Sequence, residues 1–281
     1  MTIYTTTKAL QKKLFSLPIE SSIGFVPTMG ALHRGHISLV EKALQDNSHV
    51  VVSIFVNPTQ FDNKNDLVKY PRNIDEDTAL LKNLGDSVIV FAPSSEEVYG
   101  EKVKAKKYNF GGLADEMEGQ HRKGHFNGVG TVLTHLFRII EPSKAYFGEK
   151  DYQQLQIVRK LVLLENMPVQ IVGCPILRES NGLAMSSRNE RLTDAQRNEA
   201  VFISEILKQT RENFSKKSIP ALKRAAKKAF DENPHLELEY FEIANSETLT
   251  SAKRKQKGVS FRAFVAAFAG DVRLIDNMAV N

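Results

Sequence analysis

The chain has 281 residues, 42% hydrophobic and 25% charged, with 38 Lys and Arg against 33 Asp and Glu, a formal net charge of +5. This balance excludes wholesale disorder, and the mild positive charge favours anionic partners without separating nucleic acid from phosphorylated small molecules. The longest strongly apolar run, Val50 to Val56, is broken by Ser53 and falls far short of the ~20 residues a spanning helix needs, so no membrane role is expected.

The opening MTIYTTTKALQKKLF lacks a continuous apolar core and is not read as a signal peptide. Thr7 to Leu17 is predicted as a short amphipathic helix, and Ser22 to Pro27 as a buried strand. Ile37, Val40 and Leu44 form a helical stripe. His49 to Val56, β-branched and nearly all apolar, suits a parallel strand covered on both faces. Together they make a βαβ unit with a right-handed crossover. The alternation continues with a helix over Asn73 to Leu84, a strand over Ser87 to Phe91, a helix over Val129 to Ile140 and a strand over Ala145 to Phe147. Leu155, Val158 and Val162 mark a further helix with Asp151 as its N-cap, and Val169 to Gly173 a last strand. Cys174, the only cysteine, reads as a small buried apolar residue; its solitude excludes a disulfide framework and suits a reducing, cytoplasmic compartment.

Residues 1–176 are therefore expected to form a doubly wound, Rossmann-like α/β domain on a parallel sheet. From 177 to 281 the pattern changes. Thr193 and Gln196 make a capping box before a helix carrying Ala200, Ile203 and Leu207, and a second helix covers Ala221 to Phe230. Leu236, Leu238 and Tyr240 alternate as a strand, with Phe261 to Phe268 as its partner, which predicts a small α+β domain. The basic clusters Lys102 to Lys107 and Lys253 to Lys257 are short and read as solvated, so no nucleic-acid partner is expected.

Chemistry concentrates after the first strand, in Pro27-Thr28-Met29-Gly30-Ala31-Leu32-His33-Arg34-Gly35-His36. Open α/β sheets bind ligands at the carboxyl ends of their strands, and a helix N-terminus offers N–H groups to phosphate. Gly30 and Gly35 permit close backbone approach, and two imidazoles three residues apart can address one polyphosphate. A zinc reading is weaker, because H-x-x-H here has no third ligand.

The HxGH string resembles the signature of the HIGH-motif nucleotidyltransferase superfamily. The longer FVPTMGALHRGH, followed in order by VVSIFVNPTQF, YPR, GHFNGV, FGEKDYQQL, GLAMSSRN and GDVRLIDN, is similar to one family within it, the pantoate–β-alanine ligases. The resemblance covers nearly the whole chain. It departs at Lys123, where proline is expected, and at Asn181, where aspartate is expected. It implies condensation of pantoate with β-alanine at the expense of ATP, through pantoyl adenylate, with release of pyrophosphate and AMP. It also implies a homodimer and Mg2+ accompanying ATP.

Pantoate's carboxylate is ionised at neutral pH, so the first step needs positioning and charge stabilisation rather than a base. By resemblance the catalytic set is His36, as proton donor, with His33, Lys150, Ser186, Ser187 and Arg188. Lys150 offers a mobile point charge, and the serine–guanidinium cluster a phosphate clamp. The ATP contacts implied are Met29, Gly30, Ala31, Leu32, His33, Arg34, Gly35 and His36, then Gly148, Glu149, Lys150 and Asp151, then Leu177, Met185, Ser186, Ser187 and Arg188. Asp151 carries two readings, helix N-cap and ribose contact. The resemblance also makes Gln60 and Gln154 the expected pantoate contacts, each able to read hydroxyl and carboxylate without adding charge, and implies that Gln60 reaches β-alanine. Tyr70, Asn57 and His125 form a second tier. Asp75, Glu76 and Asp77 suit either Mg2+ or the acidic first turn of a helix, so no metal ligand is named. The acceptor of the β-alanine amine proton stays open between water and a substrate phosphate. Because an acyl adenylate hydrolyses readily, the C-terminal domain is expected to act as a lid. Two other readings compete: a nucleotidyltransferase that leaves the adenylyl group on its product, and a basic RNA-binding module.

Overall fold

The computed structural model describes residues 2–61, 67, 68, 70–101 and 103–281. Lys102, at the end of one basic cluster, lies outside them. The described residues group into two compact units, each drawing on more than one stretch of chain.

The first unit contains residues 1–110, 122–149 and 154–175. Its strands are β1 (Ile3–Tyr4), β2 (Ile23–Thr28), β3 (His49–Ile54), β4 (Val88–Phe91), β5 (Lys144–Gly148) and β6 (Gln170–Cys174). They form one parallel sheet in the order β1-β4-β3-β2-β5-β6. Its helices are α1 (Thr7–Phe15), α2 (Arg34–Asp46), α3 (Ile74–Lys82) and α4 (Ser95–Tyr99). The short α5 (Glu118–His121) belongs to the second unit; α6 (His125–Ile140) and most of α7 (Tyr152–Leu164) return to the first. Val26, Val50, Val52 and Val90 are fully buried and pack against Ile37, Leu39 and Val40 of α2. Each such side chain contributes about 1.5–3 kcal/mol through burial. The order reverses between β2 and β5: β2 leads outward to β3 and β4, whereas β5 leads to β6 on the other side. This is the switch point where open α/β sheets hold ligands.

The predicted parallel strands all form. Other features differ from the sequence reading. Helix α6 begins at His125 rather than Val129, because Gly128 and Gly130, which weaken a helical pattern, lie inside it. The two-residue edge strand β1 and the short α4 carry too few residues to show a period. Asp151 is not an N-cap: it closes a 3-10 turn, Glu149–Asp151, that runs straight into α7, so its own backbone is already helical and its side chain is exposed.

The second unit contains residues 111–121, 150–153 and 176–281. Helices α8 (Asp194–Glu199), α9 (Val201–Asn213) and α10 (Ile219–Asp231) precede β7 (Glu237–Asn245), β8 (Phe261–Ala269) and β9 (Val272–Ala279). The strands make an antiparallel sheet with β8 in the centre. Ile203, Leu207, Leu222 and Phe230 share a core with Ile243, Val265 and Leu274. The Thr193–Gln196 capping box forms as read. Strand β9, built on VRLIDNMA, was not predicted as a strand; its buried Asp276 and Asn277 break the apolar alternation, and both are used to hold neighbouring chain. No helix among the described residues is long and apolar enough to cross a membrane.

Candidate active site

At the carboxyl end of β2 the chain turns through two left-handed residues, Gly30 (φ 82°) and Ala31 (φ 49°), before His33 starts α2. His33 Nδ1 accepts from Gly35 N at 3.0 Å, and His36 Nδ1 accepts from His33 N at 3.3 Å. The two histidines thus form a reciprocal capping box, with ring centroids 4.1 Å apart. Because each Nδ1 is an acceptor, each neutral ring carries its proton on Nε2. The pair is fixed as two N–H donors at a helix N-terminus, an arrangement suited to anionic oxygen. Arg34 is exposed and pairs with Glu41 at 3.4 Å. Asp77, in the first turn of α3, is buried and accepts from Ala31 N and Leu32 N at 3.1 and 2.6 Å.

After β3, a 3-10 turn over Pro58–Gln60 carries a second constellation. Asn57 is 1% exposed. Its Oδ1 accepts from Thr59 N, from the Thr59 hydroxyl and from the Tyr99 hydroxyl, while its Nδ2 donates to Gly128 O at 3.2 Å. A backbone donor on one side and a backbone acceptor on the other allow only one orientation of this amide. Asn57 Nδ2 also donates to Gln60 Oε1 at 3.0 Å, so Gln60 in turn presents its NH2 group, which lies 2.9 Å from Met29 Sδ. His125 bonds the Gln60 carbonyl through Nδ1 at 2.9 Å and meets Arg122 through Nε2 at 3.1 Å. Burial pushes the Tyr99 phenol up to about 12, so it remains a donor. The result is a buried turn that presents the Gln60 carboxamide NH2 group to an acceptor-rich ligand.

In the second unit, residues 177–185 form a tight hairpin, with Met185 N donating to Leu177 O and a bridge between Arg178 and Ala184. Arg178 grips Asp276 of β9 with two bonds, 2.6 and 3.0 Å, and the Gly182 carbonyl. Glu179 accepts from Asn189 and from Arg197. This frame delivers Ser186, whose hydroxyl caps the next turn by accepting from Arg188 N at 3.3 Å, together with buried Ser187 and half-buried Arg188. Lys150 belongs to the same unit; its carbonyl accepts from Asn277 Nδ2 at 2.8 Å, leaving its ammonium out of that bond.

A family model described as pantoate-beta-alanine ligase matches residues 2–279. The chain belongs to the pantoate-beta-alanine ligase family. A pantothenate synthetase from Christiangramia forsetii is 56% identical over 260 residues, covering 92% of both chains. One from Flavobacterium psychrophilum is 51% identical over 261 residues, covering 93% of both. Among solved structures, pantothenate synthetase from Thermus thermophilus superposes with a TM-score of 0.92 at 42% identity, over 100% of this chain and 99% of that one. A pantoate-beta-alanine ligase from Francisella tularensis, complexed with beta-gamma ATP and beta-alanine, gives 0.83 at 38% identity, over 100% and 98%.

In this ligase, Met29 to His36 follow β2 in the first unit, and Gln60, after β3, meets Met29 Sδ at 2.9 Å. Gly148 ends β5, and Glu149 opens the turn after it. Lys150, Asp151, Leu177, Met185 and Ser186 to Arg188 lie in the second unit. Gln154 is half-buried in the first turn of α7. Tyr70 sits edge-on to Phe61, with ring centroids 5.8 Å apart. Sequence reasoning missed Thr59, Tyr99 and Gly128 as the groups that orient Asn57. A glycine in GHFNGV was visible, but nothing in the sequence says which carbonyl it approaches.

Proposed function

We propose that this ligase activates pantoate with ATP; the two constellations of its first unit take part, and the family resemblance gives Lys150, Ser186, Ser187 and Arg188 of the second unit roles in the same reaction. The family relationship gives the overall reaction, ATP-dependent condensation of pantoate and β-alanine. The observation that carries the assignment is the histidine capping box, which aims two N–H donors from the end of β2 while Gln60 offers a neutral amide beside Met29.

In the first step a carboxylate oxygen of pantoate attacks the α-phosphorus of ATP, and the bond to pyrophosphate breaks. Charge grows on phosphate oxygens, so His33 and His36 stabilise it by donation and Lys150 and Arg188 by charge. Ser186 and Ser187 add hydroxyl donors. By the family resemblance Gln60 and Gln154 hold the pantoate, Gly148, Leu177 and Met185 belong to the nucleotide pocket, and Met29 and Gly30 to the phosphate end. In the second step the free amine of β-alanine attacks the acyl carbon, the acyl–phosphate C–O bond breaks, AMP leaves, and the amine's proton passes to water or to a substrate phosphate. Asp75, Glu76 and Asp77 all lie in the first turn of α3, and the Asp77 carboxylate is committed to backbone N–H groups. Among the described residues no three metal-ligating side chains converge. This donor set fits Mg2+ carried in on ATP phosphates rather than a protein cage, and no step is assigned to it.

The reading predicts pantoate-dependent exchange of labelled pyrophosphate into ATP without β-alanine, and AMP as the nucleotide product of full turnover. Release of ADP with no exchange would overturn it. The homodimer belongs to the same proposal and is tested by sedimentation equilibrium.

A further inference from the structure

Asp77 sits badly for an anion-binding site. The residue is 3% exposed, and its carboxylate stands directly behind the loop that carries the histidine pair, where it opposes phosphate binding electrostatically. Burial pushes its carboxyl above the usual carboxylate range, against the downward pull of the Leu32 and Ala31 N–H groups. A group held at such cost needs a role that only a carboxylate fills.

The bonds show what that role is. Ala31 is a non-glycine residue in the left-handed region, a conformation that an L side chain disfavours. Asp77 Oδ2 accepts from its N–H and Oδ1 from that of Leu32, one oxygen for each of two successive N–H groups. Bonds to an ionised acceptor are stronger than neutral ones, and two of them hold the turn. Gly30 allows the approach: a Cβ there would lie 2.9 Å from Asp77 Oδ2. Immediately downstream, His33 must be extended (φ −137°) for its ring to cap α2. The carboxylate therefore fixes the two peptide units that determine where the histidine box begins.

We infer that Asp77 is a positioning residue for adenylation, acting through the Ala31–Leu32 backbone to set the direction of the His33 and His36 Nε2–H groups. This inference rests on the adenylation reading. It requires two acceptor oxygens. Asp77→Asn offers one, and turns an NH2 group toward a backbone N–H.

The test compares wild type and Asp77→Asn in the full chain by pyrophosphate exchange and by 15N NMR of labelled histidines. The expected result is a loss of about a hundredfold in the maximal exchange rate, the scale of a small misplacement of catalytic groups, with the KM for pantoate changed less than threefold. The resonances of His33 and His36, in the Nε2–H form in wild type, should shift or broaden in the variant without nucleotide. If Asp77→Asn does not fold by circular dichroism, Asp77→Glu is measured the same way; it keeps the charge but displaces the oxygens by a methylene, and a reduced rate with perturbed histidine resonances is expected. A folded variant that exchanges at the wild-type rate with unchanged histidine spectra overturns the positioning role alone. Absence of exchange in wild type, with the histidine spectra still sensitive to Asp77, would sink the adenylation reading and leave the structural link intact.

Discussion

His33 and His36 each use Nδ1 to cap the same helix, so their remaining ring nitrogens act as a matched pair of donors. Substituting either one removes a cap and a donor together, and the two losses separate by size. Loss of an N-terminal cap costs about 0.5–2 kcal/mol of stability, whereas removing a donor to developing charge costs about 10²–10³ in rate. His36→Ala should therefore lower pyrophosphate exchange by about a hundredfold or more, while calorimetry shows a folded protein. Lys150→Ala tests the second unit in the same way. The lysine is tied to Asn277 through its carbonyl, so truncating the side chain leaves that bond in place. Full exchange by Lys150→Ala would remove the lysine from the phosphate site.

At the scale of elements, the turn over Pro58–Gln60 depends on the helix that crosses it. Gly128 of α6 lies against the Thr59 carbonyl, and a Cβ there would fall inside contact distance of the Thr59 backbone. A Cβ at Gly130, two residues on, would lie 3.0 Å from the Tyr108 ring and 3.1 Å from the Phe110 ring, so this stacked pair must shift by a few tenths of an ångström to admit it. Ala gains about 0.5–1 kcal/mol over Gly inside a helix, so the neighbour decides the sign. Gly130→Ala should cost less than Gly128→Ala, because it meets side chains rather than backbone. Gly128→Ala must push the 58–60 backbone away, costing about 1–3 kcal/mol and breaking the Asn57 Nδ2 bonds that orient Gln60. Its melting temperature should fall and its KM for pantoate rise. Equal KM values for Gly128→Ala and wild type would show that this packing does not reach Gln60.

For the whole molecule, the parallel strands were legible because β-branched runs such as Val50 to Val52 are buried on both faces, and the histidine loop because its glycines and imidazoles are contiguous. What stayed hidden was long-range pairing. Glu118 reads as one more charge in a loop, yet it accepts from Arg273 at 2.7 and 2.9 Å and from the Tyr240 hydroxyl at 2.9 Å. Gln153 accepts from Glu118 N and donates to the Leu113 and Glu116 carbonyls. Met117, Leu113 and Tyr152 pack with Leu249, Phe264 and Tyr240. A fragment of residues 177–281 lacks all of these inserted groups. Arg273 would keep Glu239 as a counter-charge, so the ionic loss is the smaller part. The apolar cover of three side chains, Met117 buried and Leu113 and Tyr152 partly so, is worth at most about 1.5–3 kcal/mol each, while the hydroxyl of the partly exposed Tyr240 turns to water once its acceptor is gone. Against a total of about 5–15 kcal/mol for a typical domain, that sum consumes a large part of the margin. The fragment should therefore show no cooperative thermal transition by circular dichroism, while the full chain does; a cooperative melt of the fragment near the temperature of the full chain would show that 111–121 and 150–153 are dispensable to this unit.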